Sequence, residues 1–434
     1  MKSIAHRVSS IPHKDKAIVW FKLISITGGA QLIVQMVGLV SGILVIRMLP
    51  TNEYALYTLA NTMLGTMVML TDSGISTGVM AQGSKVWQNR TKLGSVLVTG
   101  LDLRKKFAVG SLIISTPFLL YLLRGHGASW LVSVLLVISL VPAFLTSLSG
   151  TMLSIPPRLQ QDIVPLQKNQ VVSNVGRLCI TTLVLFTFPF AYLTIFAAGI
   201  PQIWANRKLR KISVNYADWD QKPDMAIRKE ILTIVKKILP GTVYFCLYSQ
   251  ITIWLCSFIN STEAVAQAGA LGRLVMVLGL FNMVFSTLIT PRFSRLQENY
   301  HLLIKRFIQI FGGLLLLSCF IIGIVWIFPS QVLWILGKGY ANLTTEIVLN
   351  VIGSCLSFIA GSVVGLYTSR GWVLNPVISI LVSLASLASG ALLFKLSTLQ
   401  GIFIFNIYLA LIQMLMYLIY ILYKIKKTSG TSNI

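Results

Sequence analysis

The sequence predicts an all-α, polytopic membrane protein with about twelve transmembrane helices in two six-helix lobes. Three observations support this fold class: 55% of the 434 residues are hydrophobic, only 11% are charged, and the apolar residues fall in long runs. A run of about 20 apolar residues can cross the hydrocarbon core of a bilayer as a helix. The composition excludes a soluble globular chain.

Each predicted span is one of these apolar runs. Those of the first lobe are residues 23–46, 54–80, 107–123, 130–153, 171–186 and 188–204, and those of the second are 241–258, 264–290, 307–328, 347–367, 375–394 and 401–423. The fifth and sixth runs are short and almost adjacent, so they are the weakest pair. A long polar and basic gap lies between the lobes.

The predicted organisation has five parts. They are a leader (1–22), a first lobe (23–204), a linker (205–239), a second lobe (240–423) and a tail (424–434). In the linker, Ile227, Ile231, Ile234 and Ile238 recur at helical spacing among lysines and arginines. This pattern predicts either an amphipathic helix on the anionic inner leaflet or an extension of the seventh span.

The distribution of Lys and Arg predicts the orientation of the chain. With a cytoplasmic N-terminus, 30 of the 36 basic residues fall in inner segments, four fall in outer loops, and Arg177 and Arg273 lie within spans. The opposite orientation would violate the positive-inside tendency at nearly every loop. Both termini are therefore expected on the cytoplasmic side. The leader has no small-x-small cleavage site, which predicts a retained first span.

The two halves resemble each other at an offset of 210 residues. Glu53 matches Glu263, Asp72 falls on Asn282, and Ser76-Thr77 fall on Ser286-Thr287. Because both segments would cross in the same direction, the pattern predicts a parallel repeat with a substrate cavity between the lobes.

Several motifs resemble those of polysaccharide-precursor flippases. In the first half they are the stretch at 47–57 (RMLPTNEYALY) and the segment at 72–77 (DSGIST), and in the second half they are Leu239-Pro240, Ser249-Gln250, Glu263-Ala-Val265, Leu271-Gly-Arg-Leu274 and the stretch at 291–296 (PRFSRL). Together they resemble the Wzx-type (O-antigen or capsule) flippases of the multidrug/oligosaccharidyl-lipid/polysaccharide superfamily. An acidic-basic pair that often follows the Gln of the seventh span in such proteins is missing from Gln250-Ile-Thr-Ile-Trp254.

The resemblance implies a function and a location. It implies that an undecaprenyl-diphosphate-linked oligosaccharide is flipped across the bacterial cytoplasmic (inner) membrane by alternating access. It also implies the lipid-linked oligosaccharide and membrane lipids as binding partners, with a polysaccharide polymerase and a chain-length regulator as candidate protein partners. Such a transporter is not an enzyme, needs no cofactor and binds no nucleic acid.

Polar residues within the spans are the candidate substrate contacts. They recur at helical spacing on one face of several helices, among them Gln31 and Gln35 in span 1, Asn61 and Asp72 in span 2, Asn174 and Arg177 in span 5, and Asn350 in span 10. Such faces could wall a hydrated chamber. The alternative is that small and amide residues hold helices together, as is common in membranes.

Two intramembrane arginines suit an anionic cargo. The guanidinium fork matches phosphate oxygens, so Arg273 and Arg177 are candidates to bind the diphosphate. Arg177 is close enough to its span end to snorkel instead. Asp72 is the expected partner of either arginine, in a substrate site or in a structural ion pair.

Other classes find less support in the sequence. No phosphate loop, HExxH, SxxK or GxSxG motif occurs, the four histidines lie outside the spans, and no metal site is expected. The main alternative is a cation-coupled multidrug exporter of the same superfamily, which would need intramembrane carboxylates. Only Asp72 lies clearly within a span. A non-transporting scaffold for polymer assembly is a third class.

Overall fold

The computed structural model describes residues 13–259, 262–297 and 299–429, and side chains from residue 28 onward except at 259, 338, 428 and 429. Parts of the predicted leader and tail therefore lie outside the described residues. The main helices are α1 (His13–Met48), α2 (Thr51–Asp72), α3 (Ile75–Lys85), α4 (Arg90–Gly125), α5 (Trp130–Leu159), α6 (Ile163–Thr187), α7 (Ala191–Val214), α8 (Met225–Ile259), α9 (Thr262–Val275), α10 (Leu278–Val284), α11 (Thr290–Ser294), α12 (Tyr300–Ile327), α13 (Pro329–Trp334), α14 (Thr344–Ser369), α15 (Pro376–Leu393) and α16 (Leu399–Ser429).

The predicted all-α, polytopic membrane fold is confirmed. Within the described part of the chain, ten helical segments are long and apolar enough to cross a membrane. They correspond to all the predicted spans except the second and the sixth, where α2 and α7 are helices of 22 and 24 residues with more polar sequences. Helices thus occupy all twelve predicted positions.

The second predicted span is interrupted. Ser73 and Gly74 both have positive φ, which ends α2 and starts α3 as a separate helix. A left-handed residue after the last helical turn is a common helix terminator. The break places Asp72 at a helix end, where its carboxylate accepts a hydrogen bond from the N–H of Ser76 at 3.3 Å.

The chain divides into two compact units, Met1–Ile251 and Thr252–Ile434. The boundary lies within α8, and the domain limits predicted at 204 and 240 stay a prediction. In the first unit, α5 packs on α7 and α1 packs on α6. A buried cluster that includes Ile75, Leu97, Met152 and Ile231 joins α3, α4, α5 and the start of α8.

The start of α7 is held by a carboxylate from α2. The Oε2 atom of Glu53 accepts a hydrogen bond from the N–H of Ala191, the first residue of α7, at 2.7 Å. A negative charge beside the unpaired N–H groups at a helix N-terminus is favourable. This contact fixes the first residue of α7, which the short 188–190 connection separates from α6.

The amphipathic part of the linker is continuous with the seventh predicted span. Residues 225–259 form one helix, α8, and the placement of its first part relative to the membrane stays a prediction. The connection that precedes it, residues 215–224, is packed within the first unit: Ala217 is fully buried, and Trp219 Nε1 donates to Ser213 Oγ at 3.0 Å. Burial and a hydrogen bond to Asp162 raise the pKa of Tyr216 to about 12, so its phenol remains a donor at neutral pH.

The second unit is built around α12, α14 and α16. Its buried cluster includes Phe285, Phe307, Val363 and Ile421, which lie on different helices and face one another. Arg370, just after α14, links that helix to the end of α11. Its Nη1 atom donates to the carbonyl oxygens of Phe293 at 3.1 Å and Leu296 at 3.0 Å.

We expect Arg370→Met to destabilise the second unit. The substitution leaves two carbonyl groups at a helix C-terminus without their charged donor, a loss of about 2 kcal/mol in the free energy of unfolding. For a unit of this size the loss corresponds to a fall of about 4–8 °C in the unfolding midpoint. Thermal unfolding of the detergent-solubilised protein measures it. Arg295→Met, which removes an exposed arginine nearby, is the control. Equal midpoints for the two variants would contradict the assignment.

Candidate functional site

The first unit contains a polar cavity of about 610 Å³. It lies among α1, α5, α6 and α7, and most of the polar groups on its walls are amides and hydroxyls. We call it the amide cavity. Its polar lining residues are Gln31, Thr146, Ser147, Thr151, Ser154, Arg158, Gln167, Asn169, Gln170, Ser173, Asn174, Gln202 and Asn206.

Hydrogen bonds between α5 and α7 fix one wall of the amide cavity. Asn206 Nδ2 donates to the carbonyl oxygen of Thr146 at 2.6 Å and to Ser149 Oγ at 2.9 Å. Thr146 Oγ1 in turn donates a hydrogen bond to Gln202 Oε1 at 3.1 Å. A connected set of polar groups holds its members in one arrangement. This wall is therefore formed before any ligand binds.

The facing wall brings together residues that the sequence pattern singled out. Gln31 Nε2 on α1 donates to Gln170 Oε1 on α6 at 3.2 Å, and Asn174 Nδ2 donates to the carbonyl oxygen of Gln170 at 2.8 Å. Residues four apart lie on the same face of a helix, which places Gln170 and Asn174 side by side. Gln31 and Asn174 thus line one cavity, although they are distant in sequence.

Two buried amide oxygens in this cavity have no hydrogen-bond partner within the described residues. They are Asn169 Oδ1 and Gln167 Oε1. Asn169 is only 5% exposed, and its Nδ2 atom already donates to the carbonyl oxygen of Ala205 at 3.0 Å. A buried acceptor without a donor costs about 1–3 kcal/mol. A ligand hydroxyl group that donates to either oxygen would recover that free energy, but both oxygens are inaccessible to solvent in this structure, so such a bond requires neighbouring side chains to move.

The cavity carries little charge. Its one charged lining residue among those described is Arg158, which is exposed, and neither Asp nor Glu is among the described residues that line it. A neutral cavity rich in amides and hydroxyls matches a polyhydroxylated ligand, whose groups both donate and accept. It provides no counter-charge for a cation.

The other predicted site residues lie elsewhere. Gln35 and Asn61 are on α1 and α2 but do not line the amide cavity, and Arg177, half-buried on α6, lies three residues beyond Asn174 and also outside the lining. In the second unit, Arg273 is in the last turn of α9, where its Nη1 atom lies 3.7 Å from Met276 Sδ. Their roles in substrate binding stay predictions.

Asn350 has an unsatisfied donor in the second unit. It lies on α14, and its Nδ2 atom is buried with no hydrogen-bond partner within the described part of the chain. A buried donor without an acceptor costs free energy. Its assignment as a substrate contact is not tested by this geometry and stays a prediction.

A second cavity of about 600 Å³ in the first unit contains an ion pair. It is lined by residues of α2, α3, α4, α5 and α8, among them Asp72 and Arg104, and it shares Thr151 with the amide cavity. Arg104 Nη2 lies 3.0 Å from Asp72 Oδ1. The arginine side chain is 1% exposed and the aspartate 31% exposed, so the carboxylate is the more accessible of the two charged groups.

Arg104 is the partner of Asp72, and the sequence analysis missed it. We expected Arg177 or Arg273 to fill this role because they were the only basic residues within the predicted spans. Residues 102–106 resemble a basic loop, but they lie within α4, which begins several turns earlier at Arg90 and continues into the apolar run. Besides the ion pair, Arg104 Nη1 donates to the carbonyl oxygen of Leu148 on α5 at 2.8 Å.

The amide cavity also includes residues that the sequence analysis did not select. Ser147, Thr151, Ser154 and Arg158 recur along α5 at the spacing of one helix face. They lie in or beside the run at 130–153, in which the many apolar residues make the periodicity of the polar ones difficult to recognise. A search for polar periodicity within each apolar run would have found it.

No metal site is evident among the described residues. Within residues 13–259, 262–297 and 299–429, no group of three or more His, Cys, Asp or Glu side chains is placed to hold a metal ion. The cysteines at 179, 246, 256, 319 and 355 are free thiols.

Comparison with solved structures identifies the fold. The chain is similar to an inward-facing multidrug resistance MATE family transporter of the MOP superfamily, with 16% identity, a TM-score of 0.67, and coverage of 91% of this chain and 96% of the other. An outward-facing MATE family transporter of the same superfamily gives 15% identity, a TM-score of 0.64 and coverage of 96% of both chains. The lipid II flippase MurJ, in an inward closed conformation, gives 16% identity, a TM-score of 0.64, and coverage of 94% and 90%.

These similarities are in fold. No protein-family model matches the sequence, and no curated protein matches it. The chain has the fold shared by MATE transporters and the lipid II flippase, over nearly its whole length. Because both kinds of transporter are similar to it at the same level, the fold does not separate drug export from lipid flipping.

Proposed function

We propose that this chain is a flippase that moves an undecaprenyl-diphosphate-linked oligosaccharide across the bacterial cytoplasmic membrane by alternating access. The observation that carries the proposal is the chemistry of the amide cavity, which offers many neutral hydrogen-bonding groups and no carboxylate among its described lining residues. Sugars present hydroxyl groups that such a surface can bind. The sequence resemblance to Wzx-type flippases and the fold shared with the lipid II flippase point in the same direction.

In this proposal the oligosaccharide binds the amide cavity through Gln31, Asn174 and the free acceptor of Asn169. Asn169 is too buried to leave its acceptor unmatched without a cost in free energy. The diphosphate is assigned to Arg273 and Arg177 on the grounds of guanidinium chemistry. The sequence-based assignments of Gln35, Asn61, Asp72 and Asn350 are kept as further contacts. The polymerase and chain-length regulator are the protein partners expected, and both termini are expected in the cytoplasm.

A multidrug exporter is the alternative, and one observation favours it. Asp72 lines the second cavity, where a carboxylate could bind a coupling ion or a cationic drug. Its charge, however, is already matched by Arg104 at 3.0 Å. An ion pair of this kind leaves little net charge to attract a cation. The neutral lining of the amide cavity therefore supports the flippase as our proposal, with the exporter as its alternative.

The proposal predicts a large effect of Gln31→Leu with Asn174→Leu. Both changes remove hydrogen-bonding groups from the cavity. Asn174 donates within its own helix, and Gln31 contributes one exposed hydrogen bond between α1 and α6, so folding should be preserved. Loss of two such hydrogen bonds to the substrate should slow transport by about tenfold or more. Surface polysaccharide in cells that lack their own flippase, complemented at matched expression, is the measurement.

Asn52→Leu, an exposed asparagine at the start of α2, is the matched control and should leave the polysaccharide unchanged. Drug susceptibility is measured in the same strains. Unchanged polysaccharide in the double variant would contradict the assigned role of the cavity. Wild-type complementation that raises drug resistance without restoring polysaccharide would favour the exporter.

A further inference from the structure

The second unit has a groove that is apolar along most of its length and basic at one end. Its volume is about 710 Å³, and it is formed by α10, the π-helical turn Phe285–Ile289, α11, α12 and Phe358 of α14. The apolar walls include Phe281, Val284, Leu314 and Leu317. We call it the second-unit groove.

The polar residues of the groove come from the same end of its two walls. Arg292 is on α11, and Arg306 and Gln309 are in the first turns of α12. The chain connects the end of α11 to the start of α12 within a few residues, so these side chains share one end of the groove. The deeper positions, Gly313 to Leu317 on α12, are apolar or lack a side chain.

The basic end is suited to a phosphate group. Arg306 Nη1 donates to Gln309 Oε1 at 3.0 Å, which orients its guanidinium, and both Arg292 and Arg306 are exposed. Two guanidinium groups that line one cavity can share the oxygens of one phosphodiester. Basic pockets between transmembrane helices are known to bind anionic lipid headgroups.

The length of the groove matches one leaflet. From Arg306 to Leu317 the α-helical rise gives about 16 Å, which is about half of a 30 Å hydrocarbon core. Phe281 and Val284 are 37% and 48% exposed, so an acyl chain can enter from the side. The groove thus has the length of a phospholipid acyl chain and not of a long polyprenyl chain.

A π-helical turn within the helix shapes this wall. Pro291 cannot donate a backbone hydrogen bond, and in the preceding turn the N–H of Thr290 bonds the carbonyl oxygen of Phe285, five residues earlier. Such π-turns widen a helix locally and are frequent at functional sites. Here the turn borders the groove directly, with Phe285 and Ile289 in its lining.

We propose that the second-unit groove binds an anionic phospholipid, with the headgroup phosphate at Arg292 and Arg306 and one acyl chain along α12. This site is independent of the amide cavity and of the substrate assigned to it. We expect the full-length protein in detergent to bind phosphatidylglycerol in preference to phosphatidylcholine. Native mass spectrometry with each lipid, and with undecaprenyl phosphate, measures the occupancy.

Two pairs of variants test the site. Arg292→Gln with Arg306→Gln should weaken phosphatidylglycerol binding by about tenfold, whereas Arg295→Gln with Lys305→Gln, an equal change of charge at exposed residues outside the groove lining, should leave it unchanged. Gly313→Phe fills the groove and should also abolish binding. Gly312→Phe, at a neighbouring position with equally open space, is its control.

The outcomes distinguish a specific lipid site in the second-unit groove from general attraction of anionic lipid to a basic surface. Equal losses in the two charge variants would overturn the proposal, because they would indicate only bulk attraction of anionic lipid to a basic surface. Equal binding by the two Gly→Phe variants would overturn the acyl-chain assignment. Stronger competition by undecaprenyl phosphate than by phosphatidylglycerol would overturn the phospholipid as occupant. Transport is not the readout, so failure of the proposed flippase function is detected separately.

Discussion

Arg104→Met is expected to destabilise the first unit by about 3 kcal/mol, at the lower end of the range for removing one partner of a buried ion pair. The substitution leaves the Asp72 carboxylate without its counter-charge and the Leu148 carbonyl without its donor. The loss is not larger because the aspartate is 31% exposed and keeps its hydrogen bonds from Ser76. Thermal unfolding in detergent and the yield of folded protein are the measurements.

The double variant Asp72→Asn with Arg104→Met should recover most of this stability. Replacing both members of a buried ion pair by neutral groups is often close to neutral, because the unmatched charge is then absent. Lys105→Met, which removes the exposed neighbouring charge on α4, is the control and should change little. A double variant no more stable than Arg104→Met alone would refute the pairing as the source of the loss.

The transmembrane helices could be predicted because their signal is local. A long apolar run predicts a helix without reference to the rest of the chain, and even the short sixth run proved to be a helix, α7. Helical periodicity also placed Asn174 beside Gln170. That Gln31 completes the same cavity depends on α1 packing against α6, which spacing alone does not reveal.

The Asp72–Arg104 pair could not be predicted, because it too depends on how the helices pack. Arg104 lies in a basic stretch, and sequence alone does not distinguish a charge in a loop from one on a buried face of an extended helix. Its neighbours Lys105 and Lys106 are exposed, whereas Arg104 is buried against α5. The difference arises from the direction of each side chain on α4, and it becomes evident only once α4 is packed against its neighbours.

Gly94→Ala is expected to have the second large effect, because the 215–224 connection lies directly on α4 at this residue. The N–H of Asp218 donates to the carbonyl oxygen of Arg90 at 3.1 Å, and the N–H of Asp224 donates to Thr99 Oγ1 at 2.9 Å. Together these bonds hold the connection against the first turns of α4. A Cβ atom at position 94 would overlap the carbonyl oxygen of Asp218, a backbone atom that no rotamer change can move.

The expected loss is about 3 kcal/mol, the upper part of the range for overpacking, because backbone segments must separate. Gly110→Ala on the same helix is the matched control, since its Cβ would meet no atom within 4 Å. There the usual advantage of Ala over Gly within a helix, about 1 kcal/mol at most, should appear as a small stabilisation. The two variants make the same chemical change with opposite expected signs, so helix propensity cannot explain a difference between them.

Thermal unfolding gives the sign, and faster limited proteolysis within 215–224 in Gly94→Ala alone would locate the effect in the connection. A Gly94→Ala protein as stable as Gly110→Ala would contradict this packing of the connection on α4.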